Sequence, residues 1–217
     1  MDRGIGGKRL SVPRPRLSAS YLGIIFAVLI ANLIILHTDE GVAANPADGR
    51  GPQVGSPVQP FTISEAGGEI VITEQGDLVL HPWSYQVEKS KPHVIQYMPG
   101  TLAGKEAFNS VTDRMKAELD PLSYKFTVIV DLNDAAWGTK ALVQRRVNNN
   151  KKAYPLASFI ADERGIGKQK WQSDATGLML LTSPDGVIRA KLDSKSSAQD
   201  FAAFFGTLLG LLSTHQS

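Results

Sequence analysis

Two short stretches carry the residue types from which chemistry could be built. The first runs Pro99-Gly100-Thr101-Leu102-Ala103-Gly104-Lys105 between an apolar run and a helical pattern. A helix that opens there would present unpaired N–H groups and the positive end of its dipole, so Gly100, Thr101, Gly104 and Lys105 could hold an anion or a carbonyl oxygen. The plainer reading is a tight glycine turn with Thr101 capping the helix. The second stretch runs from Asp131 to Trp137 and sets Asp131, Asn133 and Asp134 beside the indole of Trp137. Such a polar trio could bind calcium or a substrate. A calcium loop, however, needs ligands at alternate positions and a late glutamate, where Ala135, Ala136 and Leu142 stand. Turn formation and capping of the next helix are the alternative. His37, His81, His93 and His215 are scattered without metal-ligand spacing, and no cofactor or metal site is expected. With no cysteine in the chain, thiol catalysis, disulfides and thiolate metal sites are excluded.

Both stretches sit where strands hand over to helices. Val94 to Met98 and Phe126 to Val130 are near-continuous apolar runs, as befits strands of a parallel sheet covered on both faces. Between them Phe108, Val111, Met115 and Leu119 recur at helical spacing, giving a βαβ unit. A second helix is expected from about Thr139, as its N-cap, to Asn149, with Leu142, Val143 and Val147 on one face. An extended segment at Tyr154 to Ile160 and a short stretch ending at Trp171 follow. Leu178 to Thr182 and Val187 to Leu192 flank the turn Ser183-Pro184-Asp185-Gly186 and form a hairpin. The last helix opens on the capping box Ser197-x-x-Asp200 and buries Phe201, Phe204, Phe205, Leu208 and Leu212. Before all this, Phe61 to Ile63, Glu69 to Ile72 and Asp77 to Leu80 are short β-type runs, an N-terminal hairpin or edge extension.

The N-terminal 44 residues differ in kind. Arg3, Lys8, Arg9, Arg14 and Arg16 precede the apolar run Tyr21 to Leu36, which is the pattern of a signal peptide or signal anchor with its basic end in the cytoplasm. Residues 45–60, rich in glycine and proline, are a linker in composition. The leader holds five basic against three acidic residues, and residues 45–217 hold eighteen of each. The domain at 61–217 is thus neutral and has no electrostatic footprint for nucleic acid.

The order βαβα, then β-hairpin and helix, resembles a thioredoxin-like α/β fold. Laid over the W-C-G-P-C-K active site of a thioredoxin, the chain gives G-T-L-A-G-K, with Thr101 and Gly104 in place of the cysteines and Lys105 matching the lysine. Thr176-Gly177 stands where the cis-proline of such enzymes would shape the substrate groove. The segments T-V-I-V-D-L-N-D-A (Thr127 to Ala135), N-K-K-A-Y-P-L-A-S-F-I-A-D (Asn150 to Asp162), K-W-Q-S-D (Lys170 to Asp174) and P-D-G-V-I (Pro184 to Ile188) resemble the YtfJ family of small exported bacterial proteins. The resemblance implies a periplasmic, redox-inactive binding module for a protein or small ligand, touching the membrane only through its N-terminal segment. Two alternatives stand beside it. One is an enzyme with non-thiol chemistry, using the loop after the first core strand and Asp131 or Asp134 as base. The other is a structural domain tethered to the membrane.

Overall fold

A computed structural model describes residues 51–136, 138–172, 177–193 and 195–214. The leader, Trp137 and Thr176 lie outside the described residues. Among the described residues nine strands and five helices follow in order: β1 (Thr62–Ile63), β2 (Gly67–Ile72), β3 (Leu78–His81), β4 (Trp83–Ser84), β5 (His93–Pro99), α1 (Leu102–Glu106), α2 (Asn109–Glu118), β6 (Lys125–Asp131), α3 (Lys140–Ala153), β7 (Ser158–Asp162), α4 (Ile166–Trp171), β8 (Leu178–Thr182), β9 (Ile188–Asp193) and α5 (Ala198–Thr214).

Seven strands form one sheet in the order β3-β2-β7-β6-β5-β8-β9, with β1 and β4 paired in a separate ribbon. The strands β5, β6 and β7 are parallel, while β8 runs antiparallel to β5 and to β9. This is the thioredoxin arrangement, in which a βαβ unit is followed by an antiparallel hairpin and a closing helix. The expected N-terminal extension is the β2-β3 hairpin, joined antiparallel to β7.

Alternation along the central strands divides the core. Ile95, Tyr97, Leu178 and Leu180 face Phe61, Trp83, Trp171 and the ribbon on one side. Val94, Met179 and Leu181 face Phe108, Val111 and Met115 of the α2 side and Phe204, Phe205 and Leu208 of α5 on the other. The outer strands of that second face, through Ile70, Val128, Val130 and Phe159, carry Val147 of α3. The period-two register of β5 and β8 is what lets one strand serve both layers.

Three local expectations change. The single helix after β5 is two, because Phe108 leaves helical geometry at φ −123° and ψ 17° with its side chain wholly buried beside Phe201. Thr139 does precede α3, yet its hydroxyl donates to the Ala136 carbonyl rather than capping the helix. From residue 51 the presumed linker belongs to the domain. There Gly55 N–H donates to Ile188 O, Ile188 N–H donates to Ser56 O, Val58 is buried, and the Trp171 indole N–H donates to Gln59 O. Composition marked this stretch as flexible, but one buried valine and a strand edge in need of partners give it a fixed path. The capping box at Ser197 and Asp200 forms in both directions.

Candidate functional site

The carboxyl ends of β5, β6 and β7 lie side by side, with Pro99 opposite Asp131 and Asp131 opposite Asp162. In open α/β sheets this is the end where ligands gather. Asp131 is completely buried and organises the loops around it. Its Oδ1 accepts the N–H groups of Asn133 at 2.9 Å and Asp134 at 3.4 Å, and its Oδ2 accepts the Tyr97 hydroxyl at 2.7 Å. The main-chain carbonyl of Asp131 takes the N–H of Gly100 at 2.8 Å, so one residue ties down both candidate loops.

Asp162, equally buried, repeats the device one strand over. Its two carboxylate oxygens accept the N–H groups of Ile166 (3.0 Å) and Gly167 (2.8 Å), satisfying the start of α4, and its carbonyl receives Leu132 N–H. Lys168 of α4 then reaches back to Asp134, Nζ to Oδ2 at 2.6 Å. Loop and helix are thereby joined.

Burial pushes the Asp131 carboxyl above the usual carboxylate range, against the hydrogen bonds from Tyr97 and the Asn133 N–H, which pull it down. Burial, with the Asp131 carboxylate as its acceptor, raises the Tyr97 phenol far above its ordinary value, so Tyr97 is the fixed donor of the pair. A carboxylate with no exposed surface and both oxygens engaged is a strut. It is badly placed to take a proton from a substrate, which removes the first of the two bases considered for a non-thiol enzyme. The second, Asp134, is held in an ion pair with Lys168.

The loop after β5 differs from an open anion cradle. Thr101 Oγ1 accepts the N–H of Gly104 at 3.2 Å, α1 is only five residues long, and Gly100 N–H is already donated to Asp131. Thr101 caps, Lys105 lies in the last turn of α1, and Gly104 is buried. A Cβ at Gly104 would lie 2.6 Å from both Cγ and Cδ of Pro99, so the position corresponding to the second cysteine of a thioredoxin has no room for a side chain. Gly177, at φ +106°, packs on the Tyr97 carbonyl, and a Cβ there would sit 2.6 Å from it. Glycine alone fits both the conformation and the space.

The structure thus brings Gly100, Thr101, Gly104, Asp131, Asn133 and Asp134 to one end of the sheet. Among the described residues, no three His, Cys, Asp or Glu side chains gather as a metal site. Sequence reading missed Tyr97, Asp162 and Lys168. A signal for Asp162 existed, since T-V-I-V-D and S-F-I-A-D are two apolar strands each ending on aspartate. Nothing local marked Tyr97 or Lys168, whose partners are both 34 residues away.

Fold and site together define a thioredoxin-like protein without cysteine. Residues 53–208 match the family described as "Bacterial protein of unknown function (YtfJ_HI0045)", and the chain belongs to it. It is 30% identical over 161 residues to the uncharacterized protein YtfJ of Escherichia coli strain K12, covering 70% of this chain and 88% of that one. It is 26% identical over 146 residues to an uncharacterized protein of Haemophilus influenzae, covering 66% and 79%. Similar solved structures include a putative protein disulfide isomerase from Bacteroides thetaiotaomicron, at 14% identity, TM-score 0.49 and coverage of 75% and 91%. Another is the thioredoxin domain of a thiol-disulfide oxidoreductase from Bacteroides vulgatus, at 13% identity, TM-score 0.47 and coverage of 74% and 98%.

Proposed function

We propose that this protein is a redox-inactive binding module that works on the periplasmic side of a Gram-negative envelope, and that its binding face is the carboxyl end of β5 and β6. The observation that carries the reading is the Asp131 strut. It fixes two loops at once through buried hydrogen bonds and leaves Thr101, Leu102 and Asn133 exposed on the resulting surface. A face held rigid before contact loses little conformational entropy on binding, which favours recognition of a protein or small ligand. The absence of cysteine leaves recognition, without thiol exchange, as what this end of the fold can offer.

Export rests on the basic leader and the apolar run from Tyr21 to Leu36. Alkaline phosphatase fused after Asp48 should be active. An inactive phosphatase, with an active cytoplasmic reporter at the same junction, would remove the periplasmic half of the proposal. For the binding half, a photo-crosslinking amino acid placed at Thr101 or Asn133 should trap a partner in living cells. The same probe at Leu122, which is 64% exposed and outside this face, should not.

A further inference from the structure

The sheet has two edges, and they are treated differently. The β9 edge carries Arg189 and Lys191 and is partly covered at Ile188, whose C=O accepts the Gly55 N–H and whose N–H donates to Ser56 O. Among the described residues the β3 edge has no strand beyond it, and its residues Leu78-Val79-Leu80-His81 include neither lysine nor proline, the usual guards of an open edge. Val79 and Leu80 are 36% and 45% exposed.

The hydrogen-bond phase of β3 follows from its turn. Thr73 N–H donates to Asp77 O at 2.8 Å, so Thr73 and Asp77 are a hydrogen-bonded pair. Bonded and non-bonded pairs alternate along an antiparallel ladder, and the register sets Val71 opposite Val79 and Ile70 opposite Leu80. Val79 therefore directs its N–H and C=O inward to β2. Leu78 and Leu80 direct theirs outward, to the open edge.

Along this edge Leu78-Val79-Leu80 reads the same in both directions and is flanked by Asp77 on one side and His81 on the other. We propose that two copies of this chain join β3 to β3 across a two-fold axis through Val79, extending the sheet from one protomer into the other. In that register Leu78 exchanges both backbone hydrogen bonds with the partner's Leu80, and the symmetric pair does the same. All four outward groups are then satisfied. Asp77 faces the partner's His81, an acceptor against an imidazole donor, at each end. Neighbouring registers do worse. Centring on Leu80 sets Leu78 against the partner's Pro82, which has no N–H, and centring on Leu78 sets Leu80 against the partner's Gly76, whose N–H is already given to Thr73. On the α3 face, Leu78 and Leu80 border a cleft of about 570 Å³ with Ala141, Gln144 and Asn148 of α3. The two-fold brings four leucines together along the floor shared by the two clefts.

Because the chain has no cysteine, Val79→Cys introduces a unique thiol. Opposed residues at a non-bonded antiparallel pair have Cα atoms about 4.5 Å apart, within disulfide range. In the full-length chain under mild oxidant, Val79→Cys should form a covalent dimer at least about tenfold faster than Leu122→Cys, since a preformed pair reacts at millimolar effective concentration. Adding Leu80→Lys should abolish that advantage. Asp77→Lys should reduce it, and Asp77→Lys with His81→Asp should restore it. Without any thiol, Leu80→Lys should halve the sedimenting mass of the wild-type chain. Equal crosslinking rates at positions 79 and 122, or a mass unchanged by Leu80→Lys, would overturn the proposal.

Discussion

Phe204→Ala should lower stability by about 3 to 5 kcal/mol, the range for emptying a buried phenylalanine site. Phe204 is 1% exposed and packs in the cluster that joins α5 to β5 and β8 through Val94, Met179 and Leu181. These strands are fixed by long pairings on both sides, so the space cannot close by a small shift, and a loss toward the upper end is expected. For a domain of this size the melting temperature should fall by about 10 °C. Leu209→Ala, on the exposed side of the same helix at 43% exposure, is the matched control and should stay within about 0.5 kcal/mol. Thermal melts that fall equally for both would show that α5 does not pack through Phe204.

The second large effect is acid sensitivity set by His93. Its ring is buried at the start of β5, Nε2 pairs with Thr127 Oγ1 at 2.8 Å, and Nδ1 has no hydrogen-bond partner. Burial and, secondarily, the Lys125 charge hold its pKa down from 6.5 to about 3, with Glu88 opposing weakly. The unfolded chain binds this proton from about pH 6.5 downward, whereas the folded chain refuses it until about pH 3. The stability from this site is therefore whole above about pH 6.5, falls by up to about 1.4 kcal/mol per pH unit between about pH 6.5 and 3, and levels off below that. Asp131 acts in the opposite sense. Its raised pKa means the folded state carries a penalty while the carboxylate is ionised, and that penalty is relieved as pH falls through the raised value. Urea midpoints between pH 7.5 and 4.5 should fall steeply in wild type and less steeply in His93→Gln. An unchanged slope in His93→Gln would place the acid lability elsewhere.

What could be read in the sequence was whatever local periodicity and turn chemistry encode. The runs Val94 to Met98 and Leu178 to Thr182, the box Ser197-x-x-Asp200 and the phenylalanine stripe of α5 each carry their own pattern, and the thioredoxin topology follows from their order. The break at Phe108 was hidden because helical spacing continues across it; only the burial of that ring forces the turn. Asp131 was legible as a polar residue at a strand end, but not as a strut, since that role belongs to the Tyr97 hydroxyl and the Gly100 N–H, both distant in sequence. Residues 51–60 misled because glycine and proline content speaks of chain stiffness and says nothing of what Val58 finds to bury against.

The face at the end of β5 and β6 is tested most directly by the position dependence of photo-crosslinking in intact cells. Probes at Thr101, Leu102, Asn133, Leu122 and Leu209 would be compared at equal expression, and adduct yield scored by gel shift. All five positions are exposed, so accessibility alone would label them alike. A binding face braced by Asp131 gives the same adduct at 101, 102 and 133 and little at 122 and 209. Equal yields at every position, or adducts confined to 122 and 209, would contradict it.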